Sequence, residues 1–312
     1  MDVATKVLTM RYVVTGAAGF IGSHLAHALV ARGHDVLGID SFTDYYDIAA
    51  KEENAEGLDV ARLDLARDEL DLKGFDGVFH LAGQPGVRSF GDVLELYLTR
   101  NVLASQRLFE AAARDRVRVV FSSSSSIYGE AEAYPTPEDT PPRPISPYGI
   151  TKLAAEHLAR ATATSFGLDV VVLRYFNAYG PRQRPDMAFT RIAFALAEGR
   201  PFDLFGDGRQ SRSFTYAADV VDATISAMDR GSGTYNVGAG TEVSIGEAIG
   251  MFERLAGRAL DVREHPAVPG DQRRTKADTS RIRDELGWRP TTALEDGLRA
   301  QWEWAAARVA AR

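Results

Sequence analysis

Through the first half of the chain, short apolar runs alternate with longer stretches in which apolar residues recur at helical spacing. Strand-like runs fall at 10–15, 35–39, 58–63, 77–82, 117–123 and 169–175, and helical patterns at 20–32, 91–116 and 148–167. Such alternation predicts an α/β unit with a parallel sheet covered by helices on both faces. After Asn177 the pieces shorten and turn residues cluster, as in Gly180-Pro181, Gly199-Arg200-Pro201 and Gly206-Asp207-Gly208. The boundary predicts a larger unit over 1–176 followed by a smaller lobe over 177–312. The polar run 41–57 and the proline-rich run 135–147 read as loops.

Two places along this pattern carry chemistry. The first strand runs through Val13-Val14-Thr15 into Gly16-Ala17-Ala18-Gly19-Phe20-Ile21-Gly22 and then into an apolar helix. In such a strand–turn–helix, Gly16 permits the tight turn, Gly19 lets backbone approach a pyrophosphate, and Gly22 lets helix pack on strand. The helix N-terminus offers unpaired N–H groups to the anion. Asp40 ends the next strand, where a carboxylate accepts ribose hydroxyls and repels a 2′-phosphate, which favours NAD over NADP. The second place is Ser146-Pro147-Tyr148-Gly149-Ile150-Thr151-Lys152. Ser146 suits a helix cap and Pro147 the first turn, so Tyr148 and Lys152 share one face at the helix start. An ammonium there would pull the tyrosine pKa down from about 10 toward the range of a general base. Alone, that pair is more often plain helix surface; the glycine turn changes the odds.

Composition narrows the class. A chain of 312 residues, 45% hydrophobic, can bury a substantial core. It has no cysteine, which excludes disulfides and thiol nucleophiles and fits a reducing cytoplasm. A net charge of −7 argues against a broad nucleic-acid surface. No apolar stretch is long enough to span a membrane, and the six histidines lack metal-ligand spacing.

Taken together, Thr15 to Gly22, Asp64-Leu65, His80-Leu81-Ala82-Gly83, Asn101-Val102, Ser122 to Gly129, Tyr148 with Lys152, and Arg174-Tyr175-Phe176-Asn177 resemble the extended short-chain dehydrogenase/reductases, and among them the nucleotide-sugar epimerases and dehydratases. The resemblance spans nearly the whole chain. It implies a Rossmann-type doubly wound sheet with a smaller C-terminal substrate-binding lobe. The segment at about 214–238, a helix at 217–230 and a strand at 234–238, would return to the main sheet. It implies a tightly held NAD, contacted by Gly16, Gly19, Phe20, Ile21, Gly22, Asp40, Asp64, Leu65, Leu81, Ala82, Gly83 and Asn101 together with Tyr148 and Lys152. It also implies a catalytic Ser124 beside Tyr148, and a homodimer built on the helices at 91–116 and 148–167.

The resemblance bears on the reaction as well. The related dehydratases carry Asp-Glu directly after the catalytic Ser/Thr, whereas Ser125 and Ser126 stand here and are poor acids and bases near neutral pH. Dehydration is disfavoured, leaving 4-epimerisation of a UDP-sugar through a transient 4-keto sugar. Segments 38–47, 82–88 and 179–187 look like UDP-glucuronate 4-epimerases, which would set Arg184, Ser125 and Ser126 at the sugar carboxylate, with Arg88 a second candidate. A guanidinium suits a planar carboxylate because two parallel hydrogen bonds form. Asn177 instead resembles the UDP-galactose epimerases, so a neutral or N-acetylated hexose stays open. Arg212 matches the family's phosphate-binding arginine, with Asp271 and Arg274 as further ribose and phosphate candidates. A protein that holds NAD without turnover is the remaining alternative.

Overall fold

Buried β-branched residues make the strands: Val13 and Val14, Val119 and Val120, and Val171 and Val172 are almost wholly out of solvent. A computed structural model describes residues 8–86, 93–240, 242–267 and 273–312. Seven strands form one sheet: β1 (Arg11–Thr15), β2 (Asp35–Asp40), β3 (Asp59–Arg62), β4 (Gly77–His80), β5 (Arg118–Ser124), β6 (Val170–Tyr175) and β7 (Gly233–Val237). Their order is β7-β6-β5-β4-β1-β2-β3, and every neighbouring pair is parallel. Strand order reverses between β1 and β4, so a crevice opens at the carboxyl ends of those strands.

One face of the sheet is covered by helices Phe20–Ala31 and Ala217–Arg230, through Leu25, Leu29 and Val220. The other is covered by Ala104–Asp115 and Pro147–Phe166, through Leu108, Phe109, Ala155 and Ala159. Helix Ala217–Arg230 and strand β7 do return to the main sheet, β7 lying at its edge against β6. Later residues build a separate apolar cluster, in which helices Ala188–Glu198, Ile245–Ala256 and Leu294–Ala310 meet around Phe189, Leu196, Phe252 and Leu298.

Two local expectations change. The helical pattern at 91–116 is not one regular helix among the described residues. Leu94–Tyr97 widens into a π-type turn at Leu98–Leu103 before Ala104–Asp115 resumes. The widened turn contains Asn101, whose side chain reaches away to hold a neighbouring loop. The polar run 41–57 contains a short helix, Ile48–Asn54, capped by Asp47, which accepts from the Ala49 N–H at 3.0 Å. Its sequence is too polar to show an apolar stripe. No helix among the described residues is long and apolar enough to cross a membrane.

Candidate active site

A cleft of about 890 Å³ opens where β1 and β4 diverge, with the sheet on one side and the later lobe on the other. At its floor lies the glycine turn. Gly16 has φ +72°, and a Cβ there would meet the Ala82 nitrogen at 2.9 Å. A Cβ on Gly22 would sit 2.0 Å from the Gly16 carbonyl oxygen, so helix and strand could not approach as they do. Helix Phe20–Ala31 starts with no side-chain cap and no acid in its first turn, which leaves its first N–H groups for an anion. Asp40 holds this corner: Oδ2 accepts from Ala18 N–H at 3.1 Å and Oδ1 from Phe42 N–H at 2.8 Å. Gly19, Phe20, Ile21, Asp64, Leu65, Leu81, Ala82 and Gly83 also line the cleft. A narrow glycine cradle, an open helix N-terminus and a strand-end carboxylate together fit a dinucleotide.

Asn101 does not line this cleft. It is buried, its Oδ1 accepts from Gln84 N–H at 2.6 Å, and its Nδ2 donates to the Gln84 carbonyl and to Thr151 Oγ1. These bonds occupy the amide, so Asn101 braces the loop after β4.

Beyond β5 the chain turns tightly at Ser125–Tyr128, capped by Ser124, whose Oγ accepts from Ser126 N–H at 3.1 Å. Helix Pro147–Phe166 begins nearby; Ser146 caps it by accepting from Gly149 N–H at 3.1 Å, with Pro147 in the first turn. The helix start therefore delivers Tyr148 and Lys152 to the cleft wall with Ser124, Ser125 and Ser126. Burial pushes the Tyr148 pKa up, while a hydrogen bond with Ser124 and the charge of Arg184 pull it back. Lys152 Nζ donates to the Ser122 carbonyl at 2.8 Å, and burial lowers the Lys152 pKa to about 8 against the opposing pull of Glu156. Four residues along a helix brought the two side chains to one cleft wall.

The cleft is also lined by Asn177, Arg184 and Arg212. Asn177 has φ +30° and donates to Thr275 Oγ1 at 2.7 Å. Arg212 donates to the Ser211 carbonyl at 2.9 Å. Arg184 is paired with Asp186, Nε to Oδ1 and Nη2 to Oδ2, both at 3.0 Å. Arg274 lies outside the cleft: its guanidinium makes a two-point pair with Glu242 and sits over the Tyr134 ring. Arg88 and Asp271 fall outside the described residues. Asp186 and Tyr45 carried no mark in the sequence as partners of Arg184: Asp186 stands two residues further along the chain, and folding brings the Tyr45 hydroxyl to Asp186 from a distant segment.

The sequence matches the description "NAD dependent epimerase/dehydratase family" over residues 12–238, and the chain belongs to this family. An uncharacterized UDP-glucose epimerase of Bacillus subtilis is 39% identical over 303 residues, covering 93% of this chain and 96% of that protein. The crystal structure of a UDP-glucuronic acid 4-epimerase from Bacillus cereus, in complex with UDP-glucuronic acid and NAD, superposes with a TM-score of 0.92 at 38% identity. That match covers 96% of this chain and 100% of the other. The protein MoeE5, solved with UDP-glucuronic acid and NAD and again with UDP-glucose and NAD, has a TM-score of 0.86 at 42% identity over 96% of this chain and 99% of its own. The relatives thus include proteins named for acidic and for neutral sugars.

Proposed function

We propose that the protein is an NAD-dependent UDP-sugar 4-epimerase that interconverts UDP-glucuronate and UDP-galacturonate. The carrying observation is a single cleft that joins a dinucleotide cradle to Ser124, Tyr148 and Lys152, with Arg184 close enough for its charge to act on the Tyr148 phenol. NAD, when bound, supplies the hydride acceptor that is restored at the end of each turnover. Gly16, Gly22, Asp40 and Lys152 would hold it. Tyr148 Oη takes the proton of the C4 hydroxyl, and Ser124 Oγ hydrogen-bonds the same oxygen as it becomes a carbonyl. The proton then returns from Tyr148 to the C4 oxygen after the sugar has turned over in the cleft. Ser125 and Ser126 add no second acid–base pair, which keeps the reaction from elimination. The lobe over 177–312 binds the nucleotide end, with Arg212 at the diphosphate and Arg184 at the sugar.

A second reading, a neutral UDP-hexose 4-epimerase, draws on the pairing of Arg184 with Asp186 and on Asn177. The homodimer would form through the two helices after β4 and β5, on which Leu94, Leu98 and Ile150 remain exposed. The protein would act in the cytoplasm, where its thiol-free composition carries no disulfide requirement.

Proton NMR with UDP-glucuronate, run beside UDP-glucose and UDP-N-acetylglucosamine, tests the reading. A new galacturonate anomeric signal is the expected outcome, and Tyr148→Phe should reduce it by roughly 10²–10⁴-fold while NAD stays bound. Conversion of a neutral sugar alone replaces the uronate reading with the second one.

A further inference from the structure

The pair of Arg184 and Asp186 differs in kind from the two-point ion pair of Arg174 and Glu156. Glu156 and Arg174 are sealed, their side chains 0% and 3% exposed, whereas Asp186 and Arg184 are 39% and 21% exposed and both line the cleft. Solvent screens such a pair, so exchanging its carboxylate for another costs little; a sealed pair cannot exchange without stranding a charge. Asp186 occupies the Nε–Nη2 edge of the guanidinium, the edge that accepts any planar carboxylate. It has another donor to fall back on, since the Tyr45 hydroxyl lies 3.3 Å from Oδ2. Asp40, which also lines the cleft, is held by the N–H groups of Ala18 and Phe42 and is not free to take its place.

We propose that Asp186 is a specificity-determining residue that sets which sugar charge the cleft accepts. Paired with Arg184, it leaves the sugar end near neutral and open to an uncharged hexose. An incoming sugar carboxylate must displace Asp186 from the guanidinium onto Tyr45 and solvent. The inference rests on the UDP-sugar reading above and assigns the regulation of charge selectivity within it. Asp186 acts through Arg184 and has no part in proton transfer.

Calorimetric titration of NAD-loaded protein with UDP-glucuronate and with UDP-glucose tests this without requiring turnover. Asp186→Asn keeps an acceptor for Arg184 but removes the competing charge. It should tighten UDP-glucuronate by about three- to fivefold, the size of one partly exposed charge contact, and leave UDP-glucose unchanged. In an Arg184→Gln background the same substitution should no longer change uronate affinity. Weakened uronate binding, or equal changes for both ligands, would overturn the proposal; so would a full Asp186→Asn effect persisting without Arg184. If Asp186→Asn fails to fold, Asp186→Ser serves with the same expected outcomes. Failure of the unaltered protein to bind either UDP-sugar sinks the UDP-sugar reading and the proposal with it, which separates the two failures.

Discussion

Every proton around His80 can be placed. Ser105 Oγ donates its one hydrogen to the Asn101 carbonyl at 2.7 Å, so it must accept from His80 Nε2 at 2.9 Å. His80 Nδ1 is then unprotonated and accepts from Thr15 Oγ1 at 2.8 Å. Thr15 Oγ1 in turn accepts from the N–H groups of Leu81 and Ala82, each at 3.1 Å. A neutral imidazole thus pins the end of β1 to the loop that faces the glycine turn. Burial pushes the His80 pKa down to about 3, well below the value near 6.5 of an exposed histidine. Its stabilising share is therefore complete above pH 6.5 and is lost as pH falls toward 3, at about 1.4 kcal/mol per pH unit. Urea unfolding between pH 4 and 7 should show this slope, and His80→Asn should flatten it while lowering overall stability. An unchanged slope in the variant would place the pH sensitivity elsewhere. The His-Leu-Ala-Gly stretch was visible as a motif, but the closed donor–acceptor chain was not, because Thr15 reaches His80 from the neighbouring strand and Ser105 from a helix packed on the sheet.

Helix Pro147–Phe166 connects chemistry to stability. Its start could be read from Ser146 and Pro147, since capping is a local matter of neighbouring backbone groups. Its anchor could not. Glu156, fully buried, accepts from Ser123 Oγ at 2.6 Å and from Arg174 Nε and Nη2 at 3.0 and 2.8 Å, tying the helix to β5 and β6. It also raises the Lys152 pKa against burial. Glu156→Ala leaves the Arg174 guanidinium buried without its carboxylate and should cost about 3–5 kcal/mol, read as a lowered denaturation midpoint. Ser146→Ala, which removes one cap bond, should cost nearer 1 kcal/mol. A loss from Glu156→Ala no greater than that from the cap would mean that Arg174 finds another partner. Spacing told which residues share a helix face. It did not tell which acid lies under that face.

At the scale of the whole molecule, apolar positions stay exposed on the two helical segments after β4 and β5. Leu94 and Leu98, one turn apart, are 48% and 49% exposed, and Ile150 on the neighbouring helix is 54% exposed. If a second copy covers them, Leu98→Asp should lower the solution mass from about twice 34.0 kDa toward one chain, measured by light scattering over a wide concentration range. A monomeric mass for the unaltered protein would refute the homodimer outright.

What the sequence determined by itself were the properties that near neighbours impose. Periodicity marked the strands, with shifts of a residue or so at their ends, and glycine spacing marked the turn, because both depend on contacts within a few residues. The family's motifs carried the reaction and its cofactor. Tertiary structure decided the partners. Asn101 holds a loop, Arg274 pairs with Glu242 and Lys152 bonds a carbonyl of β5, while folding carries the local pair of Arg184 and Asp186 into the cleft. A charged or amide side chain bonds whichever complementary group packing brings within about 3 Å. For most of these residues, that group belongs to a distant part of the chain.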